Sequence, residues 1–176
     1  MSVIENWLNQ QWYVKHKPNL ALRLLSKIYA FALRFQAKQN THKLSVPIIV
    51  VGNFTVGGSG KTPLIIALIH YLEKNGFKPG VVSRGYGRAS KQAISVMIDS
   101  LVRDCGDEPL LIAQQTHVPI RVDSDRLRAA EYLIQQKCTI ILADDGLQHK
   151  NLPRDIEIEV LDSQRNYGNG LLLPAG

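Results

Sequence analysis

A glycine-rich segment followed at once by lysine and threonine contains the residue types best suited to chemistry in this sequence. It runs Gly52-Asn-Phe-Thr-Val-Gly-Gly-Ser-Gly-Lys-Thr62. Closely spaced glycines let consecutive backbone N–H groups turn towards phosphate oxygens. A lysine in the next position can reach the β- and γ-phosphates of a nucleotide, and the following threonine hydroxyl can ligate Mg²⁺. The segment therefore predicts a P-loop that binds ATP with Mg²⁺.

The residues expected to surround the phosphates form one continuous stretch: Thr55, Val56, Gly57, Gly58, Ser59, Gly60, Lys61 and Thr62. Thr55 stands where the usual G-x-x-x-x-G-K-[ST] pattern has glycine. The alternative interpretation is a glycine turn that binds nothing. The flanking elements argue against it, because the β-branched run 46–51 predicts a buried parallel strand and residues 63–75, ending before Gly76, predict a helix.

A second apolar run, residues 138–143, ends in the acidic pair Asp144-Asp145. A strand that delivers a carboxylate at its carboxyl end is the Walker B arrangement, which places negative charge beside Mg²⁺. Two adjacent carboxylates could divide the work, since one could hold the metal and the other could accept a proton from an attacking hydroxyl. A strand-end turn with exposed acids is the alternative.

Two further loops have residue types suited to function. In Ser83-Arg-Gly-Tyr-Gly87, the glycines would let Arg84 and Tyr86 project at the carboxyl edge of a sheet, where α/β proteins bind ligands. In Gly106-Asp-Glu-Pro109, the acids Asp107 and Glu108 stand at a helix start, where negative charge is favourable. Helix capping alone would explain these acids, so a functional role for them stays an alternative.

The positive charge is confined to the first 45 residues. The net charge is +6, and residues 1–45 hold seven Lys or Arg against the single acid Glu5, while the remaining residues carry 14 basic and 14 acidic groups. A charge confined to a leader segment favours attachment to an anionic membrane surface over nucleic-acid binding. We expect no nucleic-acid partner and no obligate protein partner. The two cysteines, Cys105 and Cys138, lack CxxC spacing and are expected to be ordinary packing residues.

The leader segment has the pattern of an amphipathic helix. Wound at 3.6 residues per turn, residues 20–35 place one apolar stripe beside one basic stripe. The apolar stripe comprises Leu20, Leu24, Ile28, Phe31 and Phe35, and the basic stripe Arg23, Lys27 and Arg34. This arrangement suits a membrane surface, with basic side chains reaching phosphate headgroups. The alternative is a helix docked on its own domain, because Leu22, Tyr29 and Leu33 broaden the apolar arc.

These patterns predict an α/β fold: a P-loop NTPase-type, mostly parallel sheet flanked by helices and preceded by the amphipathic helix. Residues 1–45 are predicted to be a membrane-association segment and residues 46–176 a P-loop kinase domain. No [NT]-K-x-D guanine signature is present, so a GTPase is disfavoured. Val56 replaces the signature lysine of ParA/MinD-type ATPases, although a membrane-surface ATPase stays the competing class of function.

Five motifs together resemble the tetraacyldisaccharide 4'-kinase (lipid A 4'-kinase) family of Gram-negative bacteria. They are 51–63, Ser83-Arg-Gly-Tyr-Gly87, Gly106-Asp-Glu-Pro109, Asp144-Asp-Gly-Leu-Gln-His149 and Leu171-Leu-Leu-Pro-Ala-Gly176. The resemblance implies transfer of the ATP γ-phosphate to the 4'-hydroxyl of an acylated glucosamine disaccharide 1-phosphate. It also implies a peripheral location at the cytoplasmic face of the inner membrane. Family members are considerably longer, so we expect a truncated chain that binds nucleotide weakly and has little kinase activity.

The resemblance also implies roles for single residues. Lys61 and Thr62 would serve ATP and Mg²⁺. Asp144 would be a metal-site carboxylate, with Thr62 and Glu108 as further metal ligands. Asp145 would act in general-base chemistry, and Asp107 would line the reaction centre. The residues expected to contact substrate or nucleotide are Arg84, Tyr86, Gln148 and His149, although His149 has an alternative interpretation as a strand-exit loop residue.

Overall fold

The computed structural model describes residues 3–13, 18–34, 43–53, 60–149, 152–164 and 166–175. Those ranges contain six helices and six strands. The helices are α1 (Val3–Tyr13), α2 (Leu20–Arg34), α3 (Lys61–Lys74), α4 (Val102–Cys105), α5 (Asp107–Gln115) and α6 (Arg126–Gln135). The strands are β1 (Ile48–Gly52), β2 (Pro79–Ser83), β3 (Ile94–Ser95), β4 (Ile120–Val122), β5 (Ile140–Asp144) and β6 (Ile156–Glu159).

The six strands form one sheet in the order β3-β4-β2-β5-β1-β6. Every described pairing is parallel except that between β3 and β4. Parallel strands deliver their carboxyl ends to one edge of the sheet, so the residues that follow β1, β2 and β5 meet there. The predicted mostly parallel sheet is confirmed.

The central strands β1, β2 and β5 are buried on both faces, as continuous apolar runs predict. Along β1, Ile49 and Val51 pack on one face, where α3 contributes Ile65 and Ile69 and α5 contributes Ile112. On the other face Ile48 and Val50 pack among residues of α6 (Ala129, Ala130 and Leu133). Successive residues of a strand point to opposite faces, so one short strand serves two cores. These cores fix the positions at which the strand ends present their polar residues.

The helix after the glycine-rich segment begins at Lys61, two residues before the start expected from periodicity. Lys61 and Thr62 therefore belong to the first helical turn. Pro63 is also in that turn, where its missing N–H costs nothing. Beyond the end of α3, Gly76 has a φ of 82°, as a helix-terminating glycine does. Cys105 and Cys138 are free and buried, which confirms that they are packing residues.

The described residues fall into two compact units. One is the sheet with α3 to α6, and the other contains α1, α2 and residues 161–175. Within the described ranges, no helix has the length and apolarity needed to cross a bilayer. The domain boundary expected at residue 45 stays a prediction, as does the membrane role of the leader segment. Phe35 lies outside the described residues.

Candidate active site

Lys61 lies at the carboxyl edge of the sheet between two polar partners. Gly60 caps α3 with a φ of 78°, a left-handed conformation that suits glycine. The Lys61 ammonium donates to Asn53 Oδ1 at 2.7 Å, and its Nζ lies 3.4 Å from Asp145 Oδ1. The Lys61 side chain is 13% exposed, so a reachable positive charge stands at a helix N-terminus. Both features favour an anionic ligand.

Residues 55–59 of the predicted phosphate loop (Thr55, Val56, Gly57, Gly58 and Ser59) lie outside the described part of the chain. Their contacts with phosphate therefore stay predictions. Asn53 and Gly60, which border that segment, are described.

Asp144 is the most perturbed acid of the site. It ends β5, is 1% exposed, and accepts a hydrogen bond from Ser83 Oγ at 3.3 Å through Oδ2. Burial, with the nearby carboxylates of Glu108 and Asp145, raises the pKa of Asp144 to about 7, while Lys61 and Ser83 oppose the rise. Its Oδ1 is buried and has no hydrogen-bond partner among the described residues. A buried carboxylate oxygen in that position is suited to a cation.

Glu108 completes an acidic cluster around Lys61. It is half-buried in the first turn of α5, and burial is the main cause that raises its pKa. Asp107 and Asp145 raise that pKa further, whereas Lys61 lowers it. Asp107 itself is exposed, and its Oδ1 accepts from the Glu108 backbone N–H at 3.0 Å. The structure thus brings Lys61, Glu108, Asp144 and Asp145 together.

The raised pKa of Asp144 predicts a pH-dependent stability in metal-free protein. The folded pKa of about 7 exceeds the unfolded value of about 4, so this group stabilises the fold fully below pH ~4. That stabilisation, on the order of a few kcal/mol, is lost as the pH rises through about 7. In EDTA, Asp144→Asn should therefore gain stability relative to the unchanged chain between pH 5 and pH 8, measured by urea unfolding. The exposed Asp99→Asn should show no such trend; equal trends for both variants would contradict the assignment.

The loops that carry Arg84 and Asp107 pack backbone against backbone. Gly85 has a φ of 67°, and a Cβ there would lie 2.5 Å from the Cys105 carbonyl oxygen. A Cβ at Gly106 would lie 3.1 Å from the Tyr86 carbonyl oxygen. Arg84 and Tyr86 are exposed, Tyr86 by 85%. The glycines thus explain how the loop after β2 approaches the start of α5 while both side chains face solvent.

Gly85→Ala should destabilise the fold by about 3 kcal/mol or more, because left-handed strain adds to a clash with backbone. Gly87 offers a matched control, since it has a φ of 77° and open space where its Cβ would be. Gly87→Ala should cost only about 1 kcal/mol, the strain alone. Urea unfolding of the two variants measures the difference. Equal losses of unfolding free energy in the two variants would show that the close contact with Cys105 is not the reason why residue 85 must be glycine.

Arg126, which no sequence motif indicated, binds the backbone of the acidic pair Asp144-Asp145. It is 4% exposed, and its Nη2 donates to the carbonyl oxygens of Asp144 at 3.2 Å and Asp145 at 2.9 Å. Burial lowers the pKa of Arg126, and the two aspartates oppose that change. Asp145 has a φ of 51°, a conformation that only a few non-glycine residues tolerate. Arg126 therefore holds the backbone that aims Asp145 at Lys61.

His149 lies close enough to Arg126 to be affected by its charge. Burial first, and then the charge of Arg126, hold the pKa of His149 below its ordinary value. Its Nδ1 is buried and has no hydrogen-bond partner among the described residues. Gln148 is exposed on the same turn. The contacts predicted for these two residues with substrate or nucleotide stay predictions.

Three residues at this edge were missed as single positions: Asn53, Ser83 and Arg126. Asn53 and Ser83 each follow or end a strand that was recognised, so their place at the carboxyl edge was a usable signal. Arg126 gave no such signal. It follows the N-cap residue Asp125, whose carboxylate accepts from the backbone N–H groups of Leu127 and Arg128, and it reads locally as a helix-start residue.

A family model described as tetraacyldisaccharide-1-P 4'-kinase matches residues 18–176. The tetraacyldisaccharide 4'-kinase of Stenotrophomonas maltophilia (strain R551-3) is 52% identical over 172 residues, covering 94% of this chain and 51% of the relative. The tetraacyldisaccharide 4'-kinase of Methylobacillus flagellatus (strain ATCC 51484 / DSM 6875 / VKM B-1610 / KT) is 47% identical over 178 residues, covering 97% of this chain and 53% of the relative. The chain spans about half the length of the curated relatives it matches.

A solved structure has the same fold. The crystal structure of the "apo" form of LpxK from Aquifex aeolicus in complex with ATP matches with a TM-score of 0.72 and 34% identity. The match covers 87% of this chain and 50% of that one. It confirms the predicted P-loop NTPase-type fold. Because the family model covers most of the chain and the curated relatives are about half identical to it, this chain belongs to the tetraacyldisaccharide-1-P 4'-kinase family.

Proposed function

We propose that this chain is the ATP-binding part of a kinase that phosphorylates the 4'-hydroxyl of tetraacyldisaccharide 1-phosphate in lipid A biosynthesis. The observation that carries the proposal is the cluster of Lys61, Glu108, Asp144 and Asp145 beside the N-terminus of α3. The names of the relatives supply the substrate, and the ATP complex of the Aquifex aeolicus structure supports the nucleotide.

Lys61 binds the β- and γ-phosphates of ATP in this proposal. In the structure its ammonium is held by Asn53 and Asp145, and an entering triphosphate replaces Asp145 as the counter-charge. Asn53 is 5% exposed and stays in place, so it orients Lys61 during the exchange. Residues 55–60 supply backbone N–H groups to the same phosphates. A charge held in place before the reaction needs no reorganisation as negative charge develops on the migrating phosphoryl group.

The residues present fit Mg²⁺. Magnesium takes one or two carboxylates together with phosphate oxygens, a hydroxyl and waters, rather than a cage made wholly of protein. Asp144 offers a buried, unpartnered Oδ1, and Glu108 and Thr62 are the further ligands we propose. When bound, Mg²⁺ neutralises charge on the transferring phosphoryl group.

Asp145 accepts the proton of the attacking 4'-hydroxyl. Its side chain is 56% exposed, so a hydroxyl can approach it, and Arg126 fixes its backbone. When Lys61 turns to phosphate, the Asp145 carboxylate is released from its contact with the ammonium and can accept a hydrogen bond from the hydroxyl. Asp107 lines the same reaction centre from the start of α5. Arg84, Tyr86, Gln148 and His149 provide contacts to the substrate in this proposal.

The leader segment holds the protein at the cytoplasmic face of the inner membrane as a peripheral enzyme. In the structure, Leu20, Leu24 and Ile28 of α2 are 78%, 61% and 58% exposed. Leu22, Ser26 and Ala30, on the roughly opposite face, are partly or fully covered. The helix therefore docks with one face and leaves the predicted stripe exposed. This arrangement combines the two interpretations that the sequence left open, and it supports an acylated, membrane-resident substrate.

Product analysis with radiolabelled ATP separates this proposal from the competing membrane-surface ATPase. The protein expressed from its complete gene is incubated with Mg²⁺, γ-labelled ATP and the acylated disaccharide 1-phosphate in detergent. Label on the acylated disaccharide is the expected result. Release of the label only as inorganic phosphate would show an ATPase and overturn the kinase assignment.

A further inference from the structure

Arg154 binds the backbone of the turn that follows the acidic pair. Its Nη1 donates to the Leu147 carbonyl oxygen at 3.1 Å, and its Nη2 donates to the carbonyl oxygen of His149. The same Nη1 donates to Glu157 Oε1 at 2.7 Å. A planar guanidinium holds two acceptors in fixed directions, which a single ammonium cannot do. Gln148 lies between the two bonded carbonyls, so one side chain fixes the backbone on both sides of it.

The guanidinium is itself anchored to the edge of the sheet. The residue after Arg154 is Asp155, whose Oδ2 accepts from the Ile48 N–H at 2.8 Å. The Asp155 N–H donates in return to the Ile48 carbonyl oxygen at 2.9 Å. Glu157 belongs to β6 and pairs with Val50 of β1. Arg154 therefore ties the turn to two hydrogen-bonded strands.

The turn also packs closely against β1. A Cβ at Gly52 would lie 2.8 Å from the Leu147 side chain. A Cβ at Gly146 would lie 2.8 Å from the Val50 side chain. The His149 N–H donates to the Gly146 carbonyl oxygen at 3.0 Å, which closes the turn. These contacts, with the guanidinium, fix the turn beside the strand that leads into the predicted phosphate loop.

The fixed turn presents two polar side chains close to the acidic pair. Gln148 is exposed, and the buried Nδ1 of His149 has no hydrogen-bond partner among the described residues. Burial and the charge of Arg126 hold the pKa of His149 below its ordinary value, so the imidazole is neutral at pH 7. Amide and neutral imidazole groups donate to and accept from hydroxyls. Both residues follow Asp145 within four positions, on the side where the proposed function places the attacking hydroxyl.

We propose that Arg154 is a positioning residue for the acceptor sugar, which holds Gln148 and His149 where they bind the hydroxyl-bearing ring. The inference rests on the proposed function, because the acceptor is the acylated disaccharide named there. Arg154 acts through the backbone of the turn, and the contacts with the sugar belong to the two side chains that it holds.

Steady-state kinetics of Arg154→Lys test the inference. The protein expressed from its complete gene is assayed with γ-labelled ATP, with either the disaccharide or ATP varied. Lysine keeps the charge but loses the fork, and a contact displaced by about 1 Å can cost up to roughly 10²-fold. The KM for the disaccharide should therefore rise about tenfold, while the KM for ATP stays at its original value. An unchanged KM for the disaccharide, or an equal rise for ATP, would overturn the inference.

Arg121→Lys is the matched control for a purely structural effect. Arg121 lies in β4, on the far side of β2 and β5 from β1. Its Nη1 donates to Ser95 Oγ at 3.0 Å, and its guanidinium lies 4.2 Å from the centre of the Tyr132 ring. Urea unfolding compares what each substitution costs in stability. The KM for the disaccharide should be unchanged in Arg121→Lys, and an equal rise in both variants would overturn the positioning role.

A double-mutant cycle tests whether Arg154 acts through the turn. In protein that already carries Gln148→Ala and His149→Ala, the side chains to be positioned are gone. Arg154→Lys should then raise the KM for the disaccharide by less than about twofold, because residues that act as one unit are not additive. The full rise in that background would show that Arg154 acts elsewhere, which would overturn the inference.

Glu157→Gln covers the case in which Arg154→Lys folds poorly. The Glu157 side chain is 54% exposed, so the substitution leaves the fold intact while it releases the guanidinium from β6. The KM for the disaccharide should rise about threefold, within the range of an exposed ion pair, with the KM for ATP unchanged. An unchanged KM for the disaccharide in this variant would overturn the inference.

Failure of this inference is distinct from failure of the proposed function. Label on the disaccharide, with the same KM in Arg154→Lys as in the unchanged protein, would overturn the positioning role and leave the kinase proposal standing. Release of label only as inorganic phosphate by the unchanged protein would overturn the kinase proposal, and this inference with it.

Discussion

Lys61→Ala should lower ATP affinity by roughly 10²-fold or more and abolish measurable phosphate transfer. A unit charge about 4 Å from a phosphate contributes about 4 kcal/mol at the effective dielectric of a protein surface. Lys61 also carries the ammonium that lies 3.4 Å from the Asp145 carboxylate. ATP affinity is measured by calorimetry in the presence of Mg²⁺, and transfer by label on the acylated disaccharide.

The last turn of α3, the helix that begins with Lys61, contains the control residue for Lys61→Ala. Lys74 is exposed in that turn, and Lys74→Ala removes an equal charge from α3 without touching the site. Its ATP affinity should remain that of the unchanged protein. Wild-type affinity in Lys61→Ala would show that the lysine does not bind phosphate, and equal losses in both variants would show an effect of net charge alone.

Asp145→Asn should reduce the transfer rate by about 10²–10⁴-fold, the usual contribution of a positioned base. ATP affinity should be unchanged or higher, because Lys61 loses its competing partner at 3.4 Å. This combination of retained binding and lost transfer distinguishes Asp145 from Lys61. Single-turnover transfer and ATP calorimetry on the same preparation measure both quantities.

Asp107→Asn and Asp99→Asn accompany that experiment. Asp107 stands at the start of α5 near the site, whereas Asp99 is an exposed acid on the loop before α4. We expect a smaller loss of transfer for Asp107→Asn than for Asp145→Asn, and none for Asp99→Asn. If Asp107→Asn loses transfer while Asp145→Asn stays active, the base is Asp107 and the assignment given to Asp145 is wrong.

The elements that carry the site were predictable because their signals are local. The β-branched run before Gly52 and the apolar run before Asp144 both became buried strands of one sheet. Parallel strands bring their carboxyl ends to one edge, so finding Lys61 close to Asp145 needed only the strand order. Glu108 did not follow from this rule, because it stands at the start of α5 and not at the end of a strand.

Arg126 could not be predicted, because its role depends on contacts that no local pattern encodes. It bonds to carbonyls 18 and 19 residues away, and burial rather than sequence context decides that its guanidinium faces inwards. Locally it is one more residue in a polar segment before a helix. The same holds for Ser83, whose hydroxyl meets Asp144 only once β2 and β5 are neighbours.

In the leader segment, helical periodicity did not predict which face of α2 is covered by the protein. The sequence indicated one apolar stripe and left open whether it faces a membrane or its own protein. The structure covers the face with Leu22, Ser26 and Ala30 and leaves Leu20 and Leu24 exposed. The covering segment lies at the other end of the chain, so the amphipathic pattern alone could not reveal it. A polar residue, Ser26, marks the docked face because it bonds to a backbone carbonyl.

Calorimetric titration with ATP and Mg²⁺ of the protein expressed from its complete gene tests the central claim, that Lys61 and the carboxylates facing it form a magnesium–triphosphate site. We predict saturable binding with one nucleotide per chain that depends on Mg²⁺ and weakens in Asp144→Asn. Heats that show no saturation, with or without the metal, would contradict the account.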